Sequence, residues 1–239
     1  MKIKLLPVPN TEWGKKYSEL LNNSFIKYKY NRERRLKSKE EYIDKYLPEI
    51  KTKKGIILDL GPGPGEFLEI CRYYGNEIVG IDAKEDDSIG MGTEYIKLSK
   101  LLTERQKINV LYNGVENYIK NKNFPFKDQE ISVINSQGSI EQIFRENFKL
   151  SPHANHDGKQ FEEWIFDEKL KNNMNNFISE CKRIIKPSGV LLIYANGAKS
   201  LENTKKYREL LLKTIKETGG FELVFEKDFR LHKFRKTEC

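Results

Sequence analysis

Ile57-Leu-Asp-Leu-Gly-Pro-Gly-Pro-Gly-Glu-Phe67 is the stretch on which the rest of the chain is read. The aliphatic, β-branched run from Gly55 to Leu60 predicts a buried strand, and it empties into a turn with glycine at 61, 63 and 65. Glycines in that rhythm let the backbone turn sharply and let a ligand lie directly against it, since a Cβ would intrude. Gly65 to Tyr74 then reads as a helix. A dinucleotide fingerprint runs Gly-x-Gly-x-x-Gly; here the third glycine comes one residue early and Glu66 stands where that fingerprint has glycine. Asp59, just ahead of the turn, suits an ammonium group better than a pyrophosphate. No Gly-Lys-Ser/Thr follows, which excludes a Walker A loop.

Outward from this turn the chain alternates. Glu77 to Asp82 is a second strand, Ile96 to Arg105 a helix, and Ile108 to Tyr112 a third strand followed by a polar helix or turn. Ile131 to Asn135 is a fourth strand. Lys169 to Ile185 is a periodic helix that stops at Pro187-Ser-Gly189, and Val190 to Tyr194 is a fifth strand. A helix from Leu201 to Thr218 closes with Gly219-Gly220, and Phe221 to Lys236 suggests a final hairpin. Strands alternating with helices call for a mostly parallel sheet covered on both faces, with ligands bound at the carboxyl ends of its strands. Residues 1–50 read as a helical N-terminal cap on a main domain of 51–239, and 143–168 as a long insertion above the same sheet edge.

The 239 residues fit one α/β domain with an elaboration. Dense apolar runs in a chain that is 38% hydrophobic argue against disorder. No stretch approaches the roughly 18 apolar residues of a membrane span. Met1 to Pro7 lacks the apolar core of a secretory signal. Cys71, Cys181 and Cys239 are too scattered for a disulfide framework or a zinc site, so they are expected to be reduced thiols in a cytoplasmic protein. A net charge of +8 suggests an anionic partner without choosing between nucleic acid and a phosphorylated small molecule.

At the glycine turn the sequence resembles the class I S-adenosylmethionine-dependent methyltransferases. Their first motif, acid-x-Gly-x-Gly-x-Gly, is matched by Asp59, Gly61, Gly63 and Gly65; their second, an acid ending the next strand, by Asp82. Gln137-Gly-Ser-Ile-Glu-Gln142 is similar to the family's Gly-Ser-Leu-Glu-His segment. Cys181 to Ile193 is similar to its helix, Lys-Pro-Gly-Gly turn and fifth strand. The resemblance covers about residues 52–142 and 174–236, and four motifs stand in the family's order. It implies a Rossmann-like α/β fold: a mostly parallel seven-stranded sheet with an antiparallel C-terminal strand, carrying here the helical cap and a lid insertion. It also implies S-adenosyl-L-methionine as cofactor and S-adenosyl-L-homocysteine as product. Asp59 and the Gly61 backbone would hold the methionine amino end, and Asp82 the ribose. The segment holding Val115 and Glu116 would lie along adenine, with Asn135 and Ser136 offering backbone groups.

The sulfonium methyl is already electrophilic, so the protein needs alignment and a free lone pair on the nucleophile. A sugar hydroxyl also needs a positioned base or a metal. Gln142 stands where the family often has histidine; its amide could orient a substrate but not deprotonate it. Ser151-Pro-His-Ala-Asn-His-Asp-Gly158 offers instead His153 or His156 as base, with Asp157 setting charge or tautomer, in what reads as a polar loop. The alternative is a solvated loop whose histidines do nothing. No ligand set for a metal is completed. Phe161, Trp164 and Phe166 could form an apolar wall that excludes water from the methyl; the helical spacing favours the buried face of the next helix.

Lys27 to Lys39 mixes seven basic residues with two tyrosines, among them Tyr28, Arg34 and Arg35 as candidate substrate contacts. Cations with stacking rings suit single-stranded RNA or a nucleotide, while the bland reading is a solvated helix face. No separate RNA-binding module is present, and the Asn/Asp-Pro-Pro-Tyr/Phe tetrapeptide of exocyclic base methylation is absent, with Asn135-Ser-Gln-Gly138 in its place. With these absences and a candidate histidine base, the family resemblance implies methylation of a hydroxyl on a small polar acceptor, a sugar or nucleotide-linked sugar of surface polysaccharide synthesis. The alternatives are an RNA or protein methyltransferase using the basic arm, or a regulatory protein that binds the cofactor without catalysis.

Overall fold

The computed structural model describes residues 32–82, 93–137, 144, 148–154, 160–195 and 201–238, with backbone alone at 32, 93–96, 105, 148–154, 160–164 and 201–204. The glycine turn sits at the carboxyl end of β1 (Ile56–Leu60). β1 is flanked in parallel by β2 (Glu77–Asp82) on one side and β4 (Ile131–Gln137) on the other. β3 (Asn109–Tyr112) extends the sheet beyond β2, and β7 (Ile185–Tyr194) beyond β4. Two antiparallel strands, β8 (Phe221–Lys227) and β9 (Leu231–Lys236), complete a seven-stranded order β3-β2-β1-β4-β7-β9-β8. The strand order reverses between β1 and β4, which makes their carboxyl ends the expected ligand crevice.

Alternation along each strand divides the core. Leu58, Ile134, Leu191 and Ile193 belong to one hydrophobic cluster, and Ile57, Val133 and Leu192 to another on the opposite face. The first face is covered by α5 (Val115–Asn121), α6 (Glu168–Ile184) and, through Tyr207, Leu211 and Ile215, α7 (Leu201–Thr218). Along α6, buried Leu170, Met174, Phe177, Ile178, Cys181 and Ile184 recur at three- and four-residue intervals, the signature of one packed helical stripe. Its start is fixed by Asp167, whose side chain accepts from the Leu170 N–H at 2.8 Å, and its end by Lys236 Nζ, which donates to the Lys182 and Ile185 carbonyls at 2.7 Å.

The second face is covered by α1 (Arg32–Tyr46), α2 (Glu49–Thr52) and α3 (Glu66–Tyr73). Leu36, Tyr42, Ile43, Leu47 and Ile50 share a cluster with Phe67, Leu68 and Ile70. Buried Asn76 locks this layer to the sheet: its amide donates to the Ile50 and Cys71 carbonyls and accepts from the Gly55 N–H. A further helix, α4 (Thr93–Arg105), runs between β2 and β3.

Three differences from the sequence reading have physical reasons. The segment holding His153 is not a loop: β5 (Phe148–Ala154) pairs with β6 (Gln160–Trp164) as a separate antiparallel hairpin. Its polar letters suggest a turn, but pairing puts Phe148 opposite Trp164, and the register breaks only between Leu150 and Ala154, where Pro152 has no N–H to give. Phe161 and Trp164 accordingly lie on a strand and not on the face of the next helix, which begins at Glu168. Lys186 to Gly189, read as a turn, is carried within β7 as a bulge: the register with β4 slips between Ile131↔Ile185 and Val133↔Val190. Among the described residues no helix is long and apolar enough to cross a membrane.

Candidate functional site

The turn after β1 is held from both sides. The Gly61 N–H donates to the Ile81 carbonyl at 2.8 Å, and the Gly65 N–H to the Pro62 carbonyl at 3.1 Å. Gly61, Gly63 and Gly65 all have positive φ, and Gly65, at φ +83°, is the residue before α3. A Cβ on Gly65 would stand 2.9 Å from the Ile108 Cδ1, so both backbone conformation and space demand glycine there.

Beside the turn lies a buried polar chain. The β1–β4 register sets Asp59 next to Asn135. The Asn135 amide donates to Asp59 Oδ1 at 2.7 Å, and its own oxygen accepts from the Tyr42 hydroxyl at 3.0 Å. Asp59 is 4% exposed. Burial pushes its pKa up to about 7, against the opposing pull of Lys39 and the Asn135 hydrogen bond; Asp82 and Glu66 add to the rise. Lys39 is itself held below the usual lysine range by burial, and it donates to Gln137 Oε1. Glu66, fully buried at the first position of α3, pairs with Arg35 at 3.2 Å (Nε) and 3.5 Å (Nη2). Two acids and two bases thus share a water-poor site at the sheet's carboxyl edge, where each charge depends on the others.

Asp82 ends β2, half-exposed, with its carbonyl accepting from the Gly114 N–H at 2.9 Å. Across the register from it is Tyr112, whose hydroxyl is pushed up to about 12 by burial and lies 3.0 Å from Thr103 Oγ1. Gly114 carries φ +73°, and the Glu116 carboxylate folds over the space a side chain there would need. Val115 is buried in the hydrophobic core, whereas Glu116 is half-exposed beside the edge. Ser136 is buried opposite Leu60.

No family model and no curated protein matches the sequence. Among solved structures, one described as an S-adenosyl-L-methionine-dependent methyltransferase of Methanococcus maripaludis aligns with TM-score 0.52 at 14% identity, over 97% of each chain. A Pyrococcus horikoshii protein aligns with TM-score 0.53 at 16% identity, over 86% of this chain and 91% of its own. The chain has the class I methyltransferase fold.

Within that methyltransferase fold, the crevice at the strand-order reversal brings together Asp59, the three glycines, Asp82, Asn135 and Ser136. Val115 and Glu116 begin the helix after β3, on the same edge. Sequence reasoning missed the roles of Arg35, Lys39 and Tyr42. They recur at helical spacing with Tyr46 on one side of α1, while Arg34 and Lys37 are exposed. That periodicity was the available signal, and it separates the basic run into a solvated face and a face turned onto the sheet's edge. His156, Asp157, Gln142 and Tyr28 lie outside the described residues. His153 is in β5, its side chain likewise outside the description.

Proposed function

We propose that the chain is an S-adenosyl-L-methionine-dependent methyltransferase acting on a hydroxyl of a small polar acceptor, a sugar or nucleotide-linked sugar of surface polysaccharide synthesis. The observation that carries the cofactor reading is Asp59: a carboxylate buried beside a glycine cradle, held by Asn135 and raised to about 7 by burial. Such a group gains from an arriving ammonium, because the cation restores the ionised form that burial penalises. The cofactor's α-ammonium would fit Asp59, and its ribose hydroxyls would fit Asp82 one strand away. When bound, the cofactor supplies an activated methyl; this chain's residues hold, orient and keep water from the acceptor.

The acceptor's proton would pass to His153 or His156, with Asp157 fixing the imidazole. What supports this assignment is the position of their segment between β4 and α6, on the chain path that leaves the carboxyl end of β4. The inward turn of Arg35 and Lys39 weighs against the basic run serving mainly as a polynucleotide track, since Arg35 pairs with Glu66 and Lys39 is buried beside Asp59, donating to Gln137.

The test is calorimetric titration with S-adenosyl-L-homocysteine. Micromolar binding by the wild type and a loss of about tenfold or more in Asp82→Ala are expected, the scale of charge-assisted bonds to the ribose. Unaltered affinity in Asp82→Ala refutes the ribose assignment. His153→Ala or His156→Ala is expected to remove turnover while that affinity survives; equal loss of both makes the histidines structural.

A further inference from the structure

At the carboxyl edge of the sheet, one strand beyond the Asp59 network, lies a cavity of about 260 Å³. Its walls include Tyr42 and Tyr46 of α1, Gln137 at the end of β4, Tyr194 at the end of β7, Lys227 at the end of β8, and Asp228 and Arg230 from the turn that follows. Tyr42 forms a wall of the cavity while its hydroxyl is bonded to Asn135, the partner of Asp59. Gln137 is bonded to Lys39. With strands spaced about 4.8 Å apart, an occupant over β4 and β7 sits roughly 5–10 Å from β1, the reach of a methyl donor anchored at Asp59. The cavity is therefore next to the proposed cofactor site and continuous with its hydrogen-bonded wall.

Its chemistry is selective. Three phenol rings give flat apolar faces that pack well against the C–H faces of a pyranose. Lys227 lies 3.8 Å from Asp228, so those two charges offset each other. Arg230 is half-buried, and among the described residues no carboxylate pairs with its guanidinium. A guanidinium partly removed from water beside a cavity is matched by a carboxylate or phosphate, which accepts two parallel hydrogen bonds from it. The volume falls just below the roughly 300–1,000 Å³ typical of sites for drug-sized ligands. That is room for one ring and its substituent.

We infer that this cavity is the acceptor pocket and that it selects a monosaccharide bearing an anionic group, phosphate or carboxylate, held by Arg230 against the three tyrosines. The inference rests on the methyltransferase reading and narrows it: the acceptor is a sugar whose ring carries its own anionic group.

The test titrates the full chain with glucose, glucose 6-phosphate and glucuronate, with and without saturating S-adenosyl-L-homocysteine. At least one anionic sugar is expected to bind about tenfold or more tightly than glucose, the scale of one charge-assisted bidentate contact. Preference for the phosphate over the carboxylate, or the reverse, names the group. Arg230→Ala is expected to bring the preference below about threefold, and Arg230→Lys to keep part of it, while S-adenosyl-L-homocysteine affinity stays within about twofold in both. Equal binding of all three sugars, binding of none, or a preference that survives Arg230→Ala in a folded variant overturns the inference. If the wild type selects anionic sugars but does not bind S-adenosyl-L-homocysteine, the cofactor reading fails and the pocket stands. The converse result sinks the pocket alone.

Discussion

Asp59→Asn is expected to stabilise the fold while disabling the proposed cofactor site. In the native protein the Asp59 carboxyl is raised from its ordinary 3.8 to about 7, mainly by burial. Below pH 3.8 the group is protonated in both the folded and the unfolded chain and costs nothing. Between 3.8 and about 7 the unfolded chain ionises first, so folding stability falls with rising pH; above 7 the loss is complete. A rise of about three units at 1.36 kcal/mol each gives a penalty near 4 kcal/mol at neutral to alkaline pH. Asparagine stays neutral and keeps an oxygen to accept from Asn135, but it withdraws the counter-charge from Lys39. The net gain expected at pH 8 is therefore about 2–4 kcal/mol, shrinking toward zero near pH 4. Urea denaturation at both pH values, with the slope held as a check on compactness, measures it. The binding arm has the opposite sense. Wild-type affinity for S-adenosyl-L-homocysteine should fall about tenfold per unit below pH 7, and the variant should bind weakly with no such dependence. A wild type whose stability is flat from pH 4 to 8, or an Asn variant no more stable at pH 8, refutes the argument that a carboxylate destabilised by burial is stored here. The gain in stability against the loss of function is the trade expected where a site keeps a strained charge for its ligand.

Arg35→Ala leaves the fully buried Glu66 carboxylate without this guanidinium, and because Arg35 is itself 31% exposed the cost is expected at about 1–2 kcal/mol, not the 3–5 of a wholly buried pair. Adding Glu66→Gln should restore most of it in chemical denaturation; a double variant as unstable as the single would mean that packing, not charge, is lost. Gly65→Ala should cost about 2 kcal/mol or more, from the left-handed backbone and from displacement of Ile108, and an unchanged melting temperature would show that the turn relaxes freely.

The strand–turn–helix at 56–73 was legible because its information is local: apolar run, glycine spacing and helical period lie within one stretch. Asp59 could be singled out as an acid by its place before the turn. Its condition could not, because Asn135 lies 76 positions away and reaches it only through the parallel pairing of β1 with β4. Arg35 was legible as a cation and not as the partner of Glu66, 31 positions on. The β5–β6 hairpin was misread for the opposite reason. Ser151 and Pro152 carry strong local turn preferences, and the cross-strand pairing on either side of them overrode these. In each case the missing term is non-local, and periodicity along one element cannot carry it.

The strand order also bears on how the chain can be made. β9 leaves the ribosome after β8, yet it lies inside the sheet, between β7 and β8. Until it emerges, β8 has no neighbour in the sheet, and β7, with its apolar run Val190 to Ile193, offers a bare edge to any passing strand. Premature termination before Leu231 would therefore leave a nearly complete molecule with its stickiest edge open. Cells that express this protein would clear such fragments as aggregates or by proteolysis.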